Sequence, residues 1–268
     1  MSFLEMILER KRDLVREKKK GLPAADLVSL TKGHGREGLF LTSLSERFTG
    51  QVKIIAEVKR SSPSRGTLRA ADRDITETIL AYEEGGASAV SILTEGSHFK
   101  GSLDDLILAR ETTELPVLRK DFIVDPYEIY EAAVFGADAV LLIAEALERE
   151  EVEDLAALAS SIGLDVLLEV HCRESFEKTG HIGGVLTGVN SRDLTTLSID
   201  LAKARDVVAA IPEDRPVIVE SGINNPSDIE LFRDLGVSGF LVGTALMRSP
   251  NPAQTLRRLI TGKEDEQP

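Results

Sequence analysis

The 268 residues include a single cysteine, Cys172, and no tryptophan. One thiol excludes an internal disulfide, which fits a reducing, cytoplasmic setting. No apolar run approaches the ~20 residues needed to cross a bilayer. The first ten residues, MSFLEMILER, are already charged, so neither a membrane span nor a secretory signal is expected. Positive charge is scarce too: 32 Lys and Arg against 45 Asp and Glu leave a net charge of −13. General nucleic-acid binding is therefore not expected. An anionic ligand would need a local pocket of positive charge, built against the global field. Four histidines, His34, His98, His171 and His181, lack metal-ligand spacing, so no metal is expected. His171 reads as a loop histidine and Cys172 as a packed thiol with no base beside it.

Residues 1–20 run against the acidic trend, with seven bases and four acids. Phe3, Leu4, Ile7, Leu8 and Val15 recur there at helical spacing, so one stripe packs while the Lys and Arg side chains face water. A nucleic-acid arm is the competing reading of that run.

Beyond residue 50 the pattern alternates. Apolar runs of strand length occur at 52–59, 89–94, 116–121, 139–145, 165–170, 186–193, 216–221 and 239–244. Amphipathic helical stretches follow at 75–85, 103–112, 126–135, 150–162, 173–179, 200–210, 226–235 and 252–260. Asp125, Asn225 and Asn251 each precede a proline, the pattern of a helix cap followed by proline in the first turn. Gly136, Gly163 and Gly236 fall where helix C-termini are expected. Eight strand–helix units imply parallel strands with helical crossovers, and eight closing on themselves make a (β/α)8 TIM barrel. An open doubly wound sheet is the rival, but no G-x-G-x-x-G follows the first strand. No linker or second core pattern interrupts residues 1–268, so one barrel domain is expected. Residues 1–50 form an N-terminal helical extension, outside the repeats, without which the barrel core should still close.

Active sites of such barrels lie at the C-terminal strand ends, and those ends carry a one-sided set of polar residues. In order they offer Glu57 and Lys59, Lys120, Glu169, Asn190 and Arg192, then Glu220 and Ser221, and finally Gly243 and Thr244. The opposite ends supply no comparable set. Any one such charge is commonly a salt bridge or a cap. Several on one rim are costly to bury together unless they pair or bind something. Ser221-Gly222 and Gly243-Thr244 end the last two strands, where barrels frequently hold phosphate on backbone N–H groups.

The segments IIAEVKRSSPSRG, SILTEGSHFKGS, LRKDFIVDPYEIYEA, LLEVH, GVNSRDL, IVESGI and FLVGTALMRSPNP resemble, in order, the serial motifs of the indole-3-glycerol phosphate synthases of tryptophan biosynthesis. The resemblance spans about residues 3–260. It implies a single (β/α)8 barrel with its extension near the active-site mouth. It also implies conversion of 1-(2-carboxyphenylamino)-1-deoxyribulose 5-phosphate to indole-3-glycerol phosphate, carbon dioxide and water, with no cofactor or metal. By the resemblance, Lys120 is the general acid on the substrate ketone. Lys59 engages anionic groups, and Glu169 is the acid/base of later steps. Glu57 and Asn190 orient substrate and lysines. Arg192, Glu220 and Ser221 match further pocket positions, and Ser62, Gly222, Gly243 and Thr244 surround the phosphate. Thr244 stands where many members carry Ser. Phe99 and Phe122 wall the aromatic ring. Expected partners are a small phosphorylated substrate and other tryptophan-pathway enzymes. Two rivals stay open: another phosphate-sugar enzyme using Lys120 as a Schiff base, and a non-catalytic barrel.

Overall fold

The computed structural model describes residues 2–31, 36–46, 51–62, 66–67 and 74–263, without the side chains of Ser62 and Thr67. Eight parallel strands close on themselves: β1 (Ile54–Val58), β2 (Ala89–Leu93), β3 (Val117–Lys120), β4 (Ala139–Ile143), β5 (Asp165–Val170), β6 (Leu186–Asn190), β7 (Val217–Glu220) and β8 (Gly239–Val242). Each strand pairs with its sequence neighbours, and β8 closes on β1 with Phe240 opposite Ile54. Every residue of β1, β2 and β4 is buried, which is why they read as mainly apolar runs rather than alternating ones, broken only by Glu57 in β1 and Ser91 in β2.

The helices lie close to their expected places. After helices α1 (Phe3–Gly21), α2 (Ala24–Leu30) and α3 (Leu39–Leu44) of the extension come α4 (Ile75–Glu84), α5 (Leu103–Thr112), α6 (Pro126–Val134), α7 (Arg149–Ser161), α8 (Arg173–Thr179) and α9 (Leu201–Ala209). The stretch 226–235 divides into α10 (Pro226–Glu230) and a 3-10 turn at Arg233–Leu235. Two helices follow β8: α11 (Thr244–Arg248), which sequence reading missed, and α12 (Pro252–Thr261). The expected caps are in place, with Asp125, Asn225 and Asn251 side chains each accepting a backbone N–H of the following turn. Gly136 adopts a φ of 87° just past α6, a left-handed turn that a Cβ would strain.

Two expectations about the extension need correction. Lys11 does not face water; it is 5% exposed, and its ammonium sits 2.9 Å from Asp121 and 2.5 Å from Glu128. These acids, with Glu131, also face Arg119, a β3 residue only 1% exposed. Burying a cation is tolerated where carboxylates meet it, so the stripe of α1 is held by charge as well as by Ile7, Leu8 and Val15. The extension also does more than cover the mouth. Phe3 reaches the cavity described below. At the other end Phe40 and Leu44 of α3 are fully buried in the barrel core, and Leu41 N–H donates to Asp165 at the start of β5. The barrel core therefore includes part of the extension.

The opposite strand ends are not bare either. Asp138, just before β4, is buried between Arg110 of α5 at 2.9 Å and Arg36 at 3.0 Å. It also accepts the Val117 N–H. Its cations come from a helix and from the extension, so strand ends alone did not reveal them.

Candidate active site

A cavity opens at the C-terminal ends of the strands. The pleat explains which side chains enter it. Along β3, Arg119 points outward into the helix layer, while the next residue, Lys120, points inward to the cavity. The same alternation turns Glu57, Glu169 and Glu220 inward at the ends of β1, β5 and β7. Lys59 lies two residues beyond Glu57, just past the end of β1, and the two side chains form an ion pair.

Lys120 is the centre of the charged cluster. Its ammonium donates to Glu169 at 2.8 Å and lies 3.1 Å from Glu220. Burial works against the charged amine, but Glu169, Glu220 and Glu57 outweigh it and raise its pKa well above the ordinary lysine value. The two carboxylates respond in opposite directions. Burial raises both, yet Lys120 and then His171 bring Glu169 below the usual carboxylate range. Glu220 feels burial and the Glu169 charge, which prevail over Lys120 and push it up. One cation between two acids thus leaves one of them ionised and favours a proton on the other.

Glycines make room for two of these acids. A Cβ on Gly188 of β6 would collide with Glu220 Oε1, and one on Gly243 would stand 2.5 Å from Glu57 Oε1. The expectation that Gly243 serves phosphate is joined here by a second use, as the space into which Glu57 fits.

Around this cluster lie Asn190 and Arg192 from β6 and its loop, with Arg192 Nη1 donating to the Leu197 carbonyl at 2.8 Å. Phe99 and Phe122 approach with ring centroids 6.3 Å apart, forming an apolar wall. Glu95 holds that wall's loop by accepting the backbone N–H groups of Ser97, His98 and Phe99. On the other side Ser221, Gly222 and Thr244 complete the rim. Ser221 and Gly222 take φ values of 64° and 82°. A left-handed serine is strained by ~1–2 kcal/mol, a cost found chiefly where a site demands it. Gly243-Thr244 lines this corner and begins α11, whose first backbone N–H groups have no partner within the helix.

The structure therefore brings together Glu57, Lys59, Lys120, Glu169, Asn190, Arg192, Glu220, Ser221, Gly222, Gly243, Thr244, Phe99 and Phe122. Ser62 lies in a two-residue strand beyond β1, and its side chain is outside the described residues. Reading strand ends missed Phe3 and Asn224, which also line the cavity. It also undervalued His171, whose Nε2 lies 3.3 Å from Glu169. Among the described residues no group of three or more His, Cys, Asp or Glu is placed to hold a metal ion, and no helix is long and apolar enough to cross a membrane.

Comparison with known proteins bears on the fold and the family. A (β/α)8 architecture is shared with thiamine phosphate pyrophosphorylase from Pyrococcus furiosus, at a TM-score of 0.58 and 19% identity, covering 78% of this chain and 93% of that one. KGPDC from Streptococcus mutans matches at a TM-score of 0.59 and 14% identity, covering 78% and 96%. At such identities these likenesses speak for the fold alone. An indole-3-glycerol phosphate synthase from Desulfosudis oleivorans is 39% identical over 260 residues, 97% of this chain and 98% of that protein. The family model described as indole-3-glycerol phosphate synthase matches residues 4–259. With the barrel fold in place and the sequence matching over nearly its whole length, this chain belongs to the indole-3-glycerol phosphate synthase family, whose members are carboxy-lyases acting on a phosphorylated small molecule in tryptophan biosynthesis.

Proposed function

We propose that the cavity performs the family's ring closure, decarboxylation and dehydration through Lys120, Lys59 and Glu169, with Glu57, Asn190, Glu220 and Ser221 arranging them. The observation that carries this reading is the Lys120 ammonium held between Glu169 and Glu220. As the aromatic carbon bonds to the ketone carbon, negative charge builds on the ketone oxygen, and Lys120 donates its proton there. Carbon dioxide then leaves with the carboxylate electrons returning to the ring. Loss of water needs a donor for the departing hydroxyl and an acceptor for a substrate proton. Lys59 and the ionised Glu169 supply this pair.

Substrate placement follows from the two sides of the cavity. Phe99 and Phe122 take the anthranilate ring, Arg192 and Lys59 meet anionic groups, and the phosphate lies by Ser62, Ser221-Gly222 and Gly243-Thr244. Glu169 and Glu220 at 2.8 and 3.1 Å favour the ammonium form of Lys120, which speaks against a Schiff base, since that needs a neutral amine. A non-catalytic barrel would have no use for a buried ammonium and two buried glutamates gathered at the cavity, charges that are costly to hold inside a protein.

The whole chain acts as one domain in this reading, since α3 contributes Phe40 and Leu44 to the barrel core. A cytoplasmic setting is supported by the lone cysteine. Association with other enzymes of the pathway would use the extension, which exposes Met6, Leu14, Leu22, Val28 and Leu30. The test is direct. Supplying 1-(2-carboxyphenylamino)-1-deoxyribulose 5-phosphate should generate indole fluorescence, readable because the chain has no tryptophan of its own. Borohydride added during turnover should leave the enzyme unmodified. Absence of product, or covalent trapping on Lys120, overturns the assignment.

A further inference from the structure

The two carboxylates that flank Lys120 differ in their second neighbour. Among the described residues Glu220 pairs at ion-pair distance with Lys120 and with no second cation. Glu169 meets Lys120 through Oε2 and the imidazole of His171 through Oε1, the latter at 3.3 Å from Nε2. His171 follows the end of β5 by one residue and is anchored from behind. Its Nδ1 lies 3.1 Å from Glu145 Oε2, and its backbone N–H donates to Glu145 Oε1 at 2.8 Å. Glu145 belongs to the turn after β4, whose carbonyls at Ala144 and Leu147 are held by the Lys178 ammonium. Side-chain exposure grows along the line, from 3% at Glu169 to 9% at His171 and 22% at Glu145. An imidazole between two carboxylates is favoured in its charged form. In that form Nδ1 donates to Glu145, while Nε2 faces Glu169 as a charge at 3.3 Å without a hydrogen bond.

We propose that His171, oriented by Glu145, is a positioning residue that keeps Glu169, rather than Glu220, the ionised member of the acid pair around Lys120. The inference rests on the catalytic reading above and adds a reason for the division of labour. Lys120 already favours Glu169, to which it donates a hydrogen bond at 2.8 Å, over Glu220, which it meets at 3.1 Å as an ion pair. If the proton sat on Glu169, the later steps would lose their acceptor at that position. The imidazolium, close to Glu169, strengthens that bias. The charges that face the ring are Glu145 from the β4 turn, Glu169 from β5 and Glu220 from β7, with Lys120 behind the two barrel acids. Burial disfavours the charged ring, but these acids overcome it and raise the His171 pKa.

The test compares wild type, His171→Gln and His171→Lys across pH, with Glu145→Gln as a second variant that leaves the barrel interior untouched. A neighbouring charge moves a carboxylate by about one unit or more. His171→Gln should therefore move the acid limb of kcat upward by about one unit, a roughly tenfold loss on that limb, with KM nearly unchanged. The loss should vanish at alkaline pH, where wild-type His171 is itself neutral. His171→Lys, a lasting cation, should restore the acid limb, and Glu145→Gln should shift it in the same direction as His171→Gln by less. NMR titration of the four histidines in the resting enzyme reads the charge of His171 without turnover. That arm stands even if the proposed chemistry fails. An equal loss at every pH, unchanged kinetics in both His171→Gln and Glu145→Gln, or a His171 resonance that titrates below the ordinary histidine value overturns the proposal.

Discussion

Replacing Lys120 by methionine should do two separable things. The first is catalytic: one positioned acid contributes ~10²–10⁴-fold, so kcat should fall by about that factor. The second is electrostatic. Without the ammonium, Glu169 and Glu220 would face one another in a buried site, and their pKa values in the folded state would rise above those in the unfolded chain. Groups shifted upward in this way contribute stability at pH below the unfolded value and lose it as pH rises through the folded value. Folding of the variant must then bind up to one more proton than folding of wild type. Each pH unit over which that holds costs about 1.4 kcal/mol, or about 3 kcal/mol between pH 5.5 and pH 8. At roughly 2–4 °C per kcal/mol for a chain of this size, the Tm gap between Lys120→Met and wild type should widen by ~6–12 °C over that range. Adding Glu169→Gln should close most of the widening and restore no activity. The assays are indole fluorescence and thermal melts at the two pH values. A variant keeping more than half the wild-type kcat, or a Tm gap independent of pH, would refute the argument.

Three further outcomes follow from other parts of the site. Glu169→Gln should lower kcat more than it raises KM, because it removes a proton acceptor while keeping its shape. Steady-state kinetics showing only a KM effect would mark uniform binding instead. Lys11→Met should destabilise the protein by up to ~3 kcal/mol, the low end of the cost of breaking a buried pair, because Arg119 still faces both acids; denaturant titration measures it. A change below about 1 kcal/mol would mean that α1 is held by its apolar stripe alone. Inorganic phosphate should compete with substrate and raise Tm more than sulfate at matched ionic strength, since sulfate also acts by exclusion. A hundredfold excess over Kd is worth ~2.7 kcal/mol. Thr244→Val should weaken both effects, and equal responses in the variant and wild type would move the anion away from β7 and β8.

The barrel was legible because its strands are buried on both faces. Runs such as AVLLI at β4 have no other reading once helices with caps flank them. The charged rim was legible for the same reason, since a glutamate or lysine ending such a run stands out. What stayed hidden came from contacts between elements distant in sequence. Nothing around Lys11 signals that Asp121 and Glu128 will meet it more than a hundred residues later. The short α11 was lost because five residues carry too little periodicity to separate from a turn. Arg36 and Arg110 meet at Asp138 only because the extension returns to the base of the barrel. His171 looked like a loop residue by position, and only the turn after β4 gives it Glu145.

The glycines at positions 188 and 243 carry a consequence for how this barrel can change. Each is the complement of a glutamate on the next strand around the ring, Gly188 for Glu220 and Gly243 for Glu57. The aim of each acid is thus set partly by a side chain that is missing on its neighbour. A graft that moved either glutamate to another barrel would arrive with its carboxylate displaced unless the vacancy travelled with it. Conversely, filling the vacancy with a single methyl group would redirect an acid that had not itself been altered. The transferable unit of this active site is a pair of adjacent strand ends, one bearing the acid and the other bearing nothing.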